Sequence, residues 1–360
     1  MQQRLYGKTG KSVSVIGFGG MRFPNPQDID ANARLVLHAY HSGINYFDTA
    51  PGYCGDKSEI IFGAAIKQMK PGSFYVSTKS SARDKGELRS SIERSIDRLN
   101  VDAIDFFHIW CVITLDDWAG RKEALKAAVR AKEEGLIRHL VVSSHLEGNQ
   151  LASVLKDGPF EGVTLGYNVI NHSFRQAALD ASAEMGLGVV IMNPLGGGLI
   201  PQNQQRFAFL GKSPNTGVVQ GALRFVTSSP AVTSAIVGFS SAEQIDQAVA
   251  AVEDAPRLTQ QQHAELRKAC DGCIPGVCTG CGYCLPCPAG IQIPGMMDAY
   301  NMKLLSKDIT DAALIQRLDW QWDITPAQAN DCTRCGACED RCTQHLPIRQ
   351  RLEELGKLAR

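Results

Sequence analysis

The sequence lacks a long apolar run, a hydrophobic leader and an excess of charge of either sign. No uninterrupted apolar stretch approaches the roughly 18 residues that a membrane-spanning helix needs. The opening Met-Gln-Gln-Arg-Leu-Tyr-Gly contains no signal-peptide core. Basic and acidic residues number 37 each, so no net field attracts nucleic acid or an anionic membrane. We therefore expect a cytoplasmic protein that binds neither nucleic acid nor membrane.

The first part of the chain repeats a strand-then-helix pattern. Helix-like segments with apolar residues three and four apart, such as 31–42, 87–99, 121–134 and 176–185, lie between short apolar stretches. Eight such units predict a closed (β/α)8 barrel with a parallel sheet. The predicted strands are Val13–Gly17, Ile44–Asp48, Phe74–Thr78, Ile104–Ile109, Leu140–Ser144, Gly162–Tyr167, Gly188–Asn193 and Ala235–Gly238.

Two flanking regions differ from this pattern. Ahead of the first unit, Arg4–Tyr6 and Ser12–Ser14 enclose a glycine-rich turn, which predicts a hairpin that closes the barrel floor. After about residue 255 the strands stop and cysteines become frequent, with helices predicted at Met296–Leu305 and Ala312–Trp320. We predict a barrel domain at 1–265 and a small helical domain at 266–360.

Two regular cysteine runs dominate the small domain. The first has three steps of two intervening residues and precedes a proline, whereas the second ends in a step of three. Thiolates at i, i+3 and i+6 wrap a cuboidal iron–sulfur cluster on one tight loop. Structural zinc, which usually pairs two distant Cys-x2-Cys units, and one cluster plus another group are the alternatives. The runs are Cys278, Cys281, Cys284, Cys287 and Cys332, Cys335, Cys338, Cys342.

Four reactive side chains follow the predicted strands. Asp48 ends the second strand and Tyr53 follows it, while Lys79 and His108 end the third and fourth. In such barrels the reactive groups lie at the carboxyl ends of the strands. An ammonium beside a phenol favours the phenolate, so Lys79 is expected to lower the Tyr53 pKa. Such a site suits proton donation to a carbonyl oxygen.

These residues resemble the aldo-keto reductase family. The matching segments are Gly43–Ala50 with Tyr53, Ser77–Lys79, Asp105–His108 and Gly135–Arg138. The resemblance implies a TIM barrel that binds NADPH or NADH without a Rossmann fold. It also implies a tetrad in which Tyr53 is the general acid, His108 orients the substrate oxygen, Lys79 tunes Tyr53 and Asp48 fixes Lys79.

The same resemblance implies nucleotide contacts in four segments. Ser143 and Ser144 would face the nicotinamide amide, with Asn168 beside the ring, and Thr164 stands where the family usually has Gln. A glycine-rich loop resembles the family's pyrophosphate loop. A later segment resembles the one that contacts the adenosine end of the nucleotide, where this chain has glycine and glutamine in place of the usual Lys and Arg. The loop residues are Asn193, Pro194, Leu195, Gly196 and Gly198, and the adenosine-end residues are Gly238, Ser240 and Gln244.

The cysteine runs resemble bacterial-type ferredoxins with two [4Fe–4S] clusters. In such proteins the last cysteine of each run ligates the other cluster. By this resemblance, Cys287 joins the second run and Cys342 joins the first. Cys270 and Cys273 are spare thiols that could replace a ligand.

The sequence thus predicts an NAD(P)H-dependent oxidoreductase that reduces an aldehyde or ketone, or oxidises the alcohol, by hydride transfer. The clusters would carry electrons, with a ferredoxin-like or other electron-transfer protein as partner. The alternatives are a non-enzymatic nucleotide-binding redox sensor and an electron-transfer subunit of a larger complex.

Overall fold

A closed parallel barrel forms the main body of the protein. The computed structural model describes residues 1–211, 217–253, 257–271, 276–306 and 308–359. An antiparallel hairpin comes first, and eight parallel strands then close into a barrel in which the last strand pairs with the first. The hairpin strands are β1 (Gln3–Leu5) and β2 (Ser12–Ser14), and the barrel strands are β3 (Ile16–Gly19), β4 (Tyr46–Asp48), β5 (Tyr75–Ser80), β6 (Ile104–Val112), β7 (Ile137–Ser144), β8 (Gly162–Gly166), β9 (Gly188–Met192) and β10 (Ser234–Val237).

Helices surround the barrel and build the C-terminal region. Those of the barrel are α1 (Ile29–His41), α2 (Ser58–Ile66), α3 (Lys85–Leu99), α4 (Leu115–Ala119), α5 (Lys122–Glu133), α6 (Gly148–Lys156), α7 (His172–Glu184), α8 (Leu199–Gln202), α9 (Val218–Thr227), α10 (Ala242–Glu253) and α11 (Gln260–Asp271). The C-terminal helices are α12 (Ile293–Leu305), α13 (Asp311–Trp322), α14 (Ala337–Asp340) and α15 (Ile348–Gly356). Short 3₁₀ turns span Gly196–Gly198, Ala208–Gly211, Pro326–Asp331 and Lys357–Ala359.

Helix α3 illustrates how the local sequence sets these elements. The Asp84 carboxylate accepts a hydrogen bond from the Glu87 backbone N–H at 2.9 Å and caps the helix start. Asn100 adopts the left-handed conformation and ends the helix. Leu88, Ile92 and Leu99 lie on one face and are fully buried. The spacing of apolar residues therefore directs this face onto the barrel.

Alternation along the strands separates the outer core from the barrel interior. On β4, Phe47 packs in the outer core, whereas Tyr46 belongs to the interior cluster. On β6, Phe107 points outward and Phe106 inward. Because the side-chain period of a strand is two, Asp48 shares the inward side with Tyr46. Above the apolar cluster that contains Tyr46 and Phe106, the inward-facing side chains are therefore polar.

The hairpin closes the lower end of the barrel, as predicted. The Tyr6 side chain is fully buried, and its ring stacks on Phe106 with 4.1 Å between centroids. A Cβ atom on Gly162 or Gly188 would lie within 2.5 Å of Tyr6 atoms. Glycine at both strand starts makes room for this ring, which seals the floor.

The predicted (β/α)8 barrel is confirmed, although several boundaries differ. Strand β6 does not end at His108 but runs on to Val112, with a register irregularity against β7. The predicted strand Val13–Gly17 spans two elements, since Val13 lies on β2 and the first barrel strand begins at Ile16. Apolar content alone does not reveal the turn between two adjoining strands.

The C-terminal region has a separate apolar core. Ile293, Met296 and Met297 of α12 pack with Ile348 and Leu352 of α15. The two helices predicted here exist, with starts earlier than expected at Ile293 and Asp311. No helix in the described part of the chain is long and apolar enough to cross a bilayer.

The predicted division at 265/266 falls within α11 (Gln260–Asp271). Of the two spare thiols, Cys273 lies outside the described residues, and only the backbone of Cys270 is described, at the end of α11.

Candidate functional site

Neighbouring strands bring the four predicted reactive residues to the upper end of the barrel. Asp48 is in register with Ser77, and Lys79 with His108. Asp48, Lys79 and His108 are almost wholly buried, with 2%, 3% and 0% of their surface exposed. Tyr53 lies on the loop after β4 and is half-buried. Parallel pairing and inward alternation thus build the site from residues distant in sequence.

Asp48 and Lys79 form a buried ion pair. The Lys79 Nζ donates to both carboxylate oxygens, at 2.6 and 2.7 Å. Breaking a buried pair by removing one partner costs about 3–5 kcal/mol, because the other charge stays behind without a counter-ion. The pair therefore fixes both side chains.

Ser77 extends this pair to His108. The Ser77 hydroxyl donates to Asp48 Oδ2 at 2.7 Å and lies 2.8 Å from His108 Nε2. Since that hydroxyl proton points to the carboxylate, His108 Nε2 carries the proton that Ser77 accepts. The other ring nitrogen, Nδ1, is buried and has no hydrogen-bond partner among the described residues. Nδ1 therefore presents a lone pair.

Burial keeps this imidazole neutral. Burial, with a smaller contribution from the Lys79 charge, holds the pKa of His108 well below its ordinary value of 6.5. A neutral histidine with protonated Nε2 can accept a hydrogen bond at Nδ1 from a hydroxyl group.

Tyr53 departs from the sequence-based expectation about its pKa. Burial first and the Asp48 carboxylate second raise the pKa of Tyr53 well above 10. The predicted net lowering is wrong for this structure, because burial and the Asp48 carboxylate outweigh the effect of the Lys79 ammonium, which lies 5.7 Å from the centre of the Tyr53 ring. Tyr53 is therefore protonated at neutral pH.

Trp110 and Cys111 continue the site beyond the tetrad. The Trp110 ring meets the Tyr53 ring edge-on, with 5.6 Å between centroids. The Cys111 thiol is buried, and burial raises its pKa to about 12. It lies near enough to the hydroxyl of Tyr283, a residue of the C-terminal region, for the two groups to interact electrostatically.

The residues predicted at the nicotinamide differ in what they contact. Ser144 donates to the Val112 carbonyl at 3.2 Å and accepts from the Leu146 N–H at 3.1 Å, which makes it a local cap. Ser143 is buried and in register with Thr164, whose hydroxyl is buried without a hydrogen-bond partner among the described residues. An orphaned hydroxyl at this level suits contact with a bound group.

The Asn168 side chain forms hydrogen bonds with the backbone of two neighbouring loops. Its amide donates to the Asn193 carbonyl at 2.8 Å, and its oxygen accepts from the N–H groups of Ile170 and Asn171. These bonds join the loops after β8 and β9. Asn168 therefore holds in position the two loops that are predicted to contact the nucleotide.

The predicted pyrophosphate loop, residues 193–198, is a sequence of tight turns. Asn193, Gly196, Gly197 and Gly198 all have positive φ. The Gly196 and Gly198 N–H groups donate to the carbonyls of Asn193 and Leu195 within the loop. These two N–H groups are therefore already hydrogen-bonded within the loop.

This loop also contacts the first cysteine run. A Cβ atom on Gly197 would lie 2.2 Å from the Thr279 carbonyl oxygen. Glycine is therefore required where the two loops meet.

The predicted adenosine-end segment begins α10. The Ser240 N–H donates to the Gln244 side chain at 2.8 Å, and the Gln244 N–H donates to Ser241 at 3.4 Å. Arg22, which no motif indicated, extends beside this segment: a Cβ on Gly238 would lie 3.7 Å from Arg22 Cβ. Its guanidinium extends toward the first cysteine run, where a Cβ atom on Gly280 would lie 3.9 Å from one of its nitrogens.

The eight cysteines of the two runs form two groups. Cys278, Cys281, Cys284 and Cys342, the first cysteine group, lie close enough for electrostatic interaction with one another. The second cysteine group, Cys287, Cys332, Cys335 and Cys338, lines one cavity, which Cys284 of the first group also lines. Each group therefore combines three cysteines of one run with the last cysteine of the other.

The chemistry of both groups suits iron–sulfur clusters. Burial raises the pKa of Cys278 and Cys284 to about 12, so a bound metal must displace their protons. The N–H groups of Gly280 and Leu346 point at the sulfurs of Cys278 and Cys342, both at 3.4 Å, as donors do around cluster thiolates. No trio of ligand side chains within the described ranges converges on a single-ion position. Four cysteines around a cavity suit a multi-atom cluster better than one zinc ion.

Three residues near this site carry no local sequence signal for their contacts. Ser77 lies within a motif that predicts no role for it. Tyr283 lies between two cysteines, and Arg175 lies on an outer helix of ordinary pattern. Their positions depend on contacts between distant elements, which no local spacing reveals.

Comparison with known proteins assigns both regions. Residues 15–271 match the aldo/keto reductase family, and residues 277–346 match a 4Fe-4S dicluster domain. The chain is 28% identical over 295 residues to L-galactose dehydrogenase of Arabidopsis thaliana, covering 73% of this chain and 91% of that protein. It is 25% identical over 213 residues to the NADH-specific methylglyoxal reductase of Escherichia coli, covering 54% of this chain and 65% of that protein.

A solved structure agrees with this assignment. The holo form of an aldo-keto reductase from Bacillus halodurans superposes with a TM-score of 0.64 at 25% identity. The match covers 74% of this chain and 96% of that one, so the remainder of this chain extends beyond the shared barrel.

Proposed function

The chain is an oxidoreductase of the aldo/keto reductase family with a 4Fe-4S dicluster domain, and from this premise we propose that it interconverts a small carbonyl compound and its alcohol with NAD(P)H, using Tyr53 as general acid. The observation that carries the proposal is the buried network of Asp48, Lys79, Ser77 and His108 beside Tyr53. The relatives support it by name, as dehydrogenase and reductase.

Each residue of the barrel site has a separate role in the proposed reaction. The nicotinamide nucleotide, when bound, supplies the hydride. Tyr53, protonated at neutral pH, gives its proton to the carbonyl oxygen as negative charge develops there. Lys79 then lies near enough to stabilise the phenolate, and Asp48 holds Lys79 in place. Positioned proton donation of this kind contributes roughly 10²–10⁴-fold to the rate.

His108 receives a modified role in this proposal. With Nε2 donating to Ser77, the Nδ1 lone pair is free to accept from the hydroxyl of the alcohol. His108 thus orients the alcohol before the reaction, and the same hydroxyl proton is exchanged with Tyr53 during it.

Nucleotide binding is proposed along the rim of the barrel. Ser143 and Thr164 face the interior at the nicotinamide end, and the segment with Gly238, Ser240 and Gln244 lies at the adenosine end. Asn168 and the loop from Asn193 through Pro194 and Leu195 to Gly198 shape the path between them. The cofactor is proposed to be NADPH or NADH.

The two cysteine groups are proposed to hold two [4Fe–4S] clusters, in an iron–sulfur domain (266–360) beside the barrel domain (1–265). The clusters supply one-electron chemistry when bound. Cys335 is exposed, whereas Cys338 is buried, so the second group has an open side toward solvent. We propose this side as the contact for a ferredoxin-like electron-transfer partner.

A matched pair of tyrosine variants tests the barrel chemistry. Tyr53→Phe removes the proposed acid, and Tyr40→Phe removes a hydroxyl that bonds Ser73 on the outer surface. Anaerobic oxidation of NADPH and of NADH is measured across a panel of aldehydes and ketones. We expect a loss of roughly 10²–10⁴-fold in kcat for Tyr53→Phe with unchanged nucleotide affinity. Full turnover by Tyr53→Phe would refute the assignment.

A further inference from the structure

Tyr283 belongs to the first cysteine run, yet its side chain packs on the rim of the barrel. It lies between Cys281 and Cys284 on one loop. Its ring meets His145, on the loop after β7, with 4.8 Å between centroids. Its hydroxyl lies near enough to the Cys111 thiol for the two groups to interact electrostatically. The loop of the iron–sulfur region thus reaches into the upper end of the barrel.

The partners of Tyr283 lie beside the proposed reaction centre. Cys111 is three residues beyond His108 on β6. Tyr53 lies within range of electrostatic interaction with Tyr283, and Trp110 packs edge-on against Tyr53. Tyr283 therefore borders the space next to the Tyr53 hydroxyl, where a substrate carbonyl must lie.

The first cysteine group, whose main loop carries Tyr283, is held at two points. On one side, the Thr279 carbonyl packs against Gly197 with no room for a Cβ atom. On the other, the fully buried Arg175 donates to the carbonyls of His145 and Leu146 on the barrel and to Thr343, at 2.8 Å, beside Cys342. These contacts join both ends of the first cysteine group to the barrel rim.

We propose that Tyr283 is a specificity-determining residue that forms one wall of the carbonyl pocket, so that the iron–sulfur domain limits the size of the substrate. The first cysteine group holds this wall in place when loaded. The inference rests on the proposed function, because Tyr53 marks the position of the reacting oxygen. The substrates it favours are small carbonyl compounds without a bulky group on the Tyr283 side.

Chemical labelling of Cys111 tests the position of the wall without turnover. Tyr283→Ala uncovers Cys111, which is 8% exposed in the intact protein. Under anaerobic conditions, iodoacetamide labelling followed by peptide mass spectrometry should modify Cys111 about tenfold faster or more in this variant, since thiol reactivity follows access. Cys54, which contacts the carbonyls of Gly20 and Met21, is the internal control and should keep its rate.

Substrate size gives the second readout. Tyr283→Ala should shift the ratio of kcat/KM between a branched or aromatic aldehyde and a two- or three-carbon aldehyde by roughly 10–200-fold toward the larger one, mainly through KM. Tyr283→Phe keeps the ring and should retain the wild-type preference. Tyr40→Ala, a truncation on the outer surface, should also leave the preference unchanged.

Removal of iron by a chelator tests the anchoring. Cys111 labelling in the wild-type protein should then rise toward the Tyr283→Ala rate. The proposal is overturned if Tyr283→Ala with full iron and sulfide content labels Cys111 at the wild-type rate, or if iron removal leaves that rate unchanged. Because labelling needs no substrate, it can fail while the Tyr53 assignment stands, and Tyr53→Phe can fail while the labelling result stands.

Discussion

The buried pair of Asp48 and Lys79 allows a quantitative prediction. Asp48→Asn keeps the shape of the side chain but removes the counter-ion of an ammonium that is 3% exposed. In this variant, Lys79 either stays charged in a site that excludes water or loses its proton. Deprotonating a lysine with an ordinary pKa of about 10.4 at pH 7 costs about 4.6 kcal/mol, which sets an upper limit. We therefore expect a loss of about 3–4.6 kcal/mol in the free energy of unfolding.

A double variant separates the charge effect from a simple loss of packing. Lys79→Met added to Asp48→Asn removes the unpaired charge and fills similar volume. It should recover most of the lost stability yet remain inactive, because Tyr53 loses its neighbouring cation. The assay is urea unfolding under anaerobic conditions, with kcat/KM measured on the same samples. The reasoning is refuted if Asp48→Asn costs less than about 1 kcal/mol, as an exposed pair would, or if the double variant is less stable than both single variants.

Two further predictions concern pH and the contact between loops. The pKa of His108 in the folded protein lies well below 6.5, so as the pH falls the unfolded chain takes up a proton at this residue before the folded protein does. The contribution of His108 to the free energy of unfolding should therefore fall by about 1.4 kcal/mol per pH unit below about pH 6.5. His108→Asn should flatten the pH dependence of unfolding, and an unchanged slope would contradict a neutral buried histidine. Gly197→Ala should lose iron faster on chelation than Gly52→Ala, since both have positive φ but only Gly197 lies against Thr279. Equal rates of iron loss would contradict the contact.

The barrel could be predicted because its signals are local or periodic, and the cysteine partition could be predicted because the two runs resemble ferredoxins. The repeating strand and helix pattern fixes the fold, and inward alternation carries Asp48, Lys79 and His108 to the same end of the barrel. The resemblance of the two cysteine runs to two-cluster ferredoxins likewise implied that Cys287 and Cys342 exchange groups.

Other features depend on geometry that the sequence does not encode locally. The direction of the Tyr53 pKa shift depends on burial and on the balance between Asp48 and Lys79, so the chemistry of the neighbours alone predicted it wrongly. The role of Ser77 follows from strand register, which brings its hydroxyl between Asp48 and His108. The docking of Tyr283 on Cys111 joins two regions far apart in the chain.

The central claim is that the carbonyl carbon receives a hydride at the barrel site rather than electrons from the clusters. A direct measurement uses reduced nucleotide carrying deuterium at the transferable position, with an unlabelled aldehyde and anaerobic, cluster-loaded protein. Mass spectrometry of the alcohol should find one deuterium on the carbinol carbon in each molecule formed. Alcohol formed without that deuterium would contradict the claim, because its hydrogen would then have come from solvent after electron transfer.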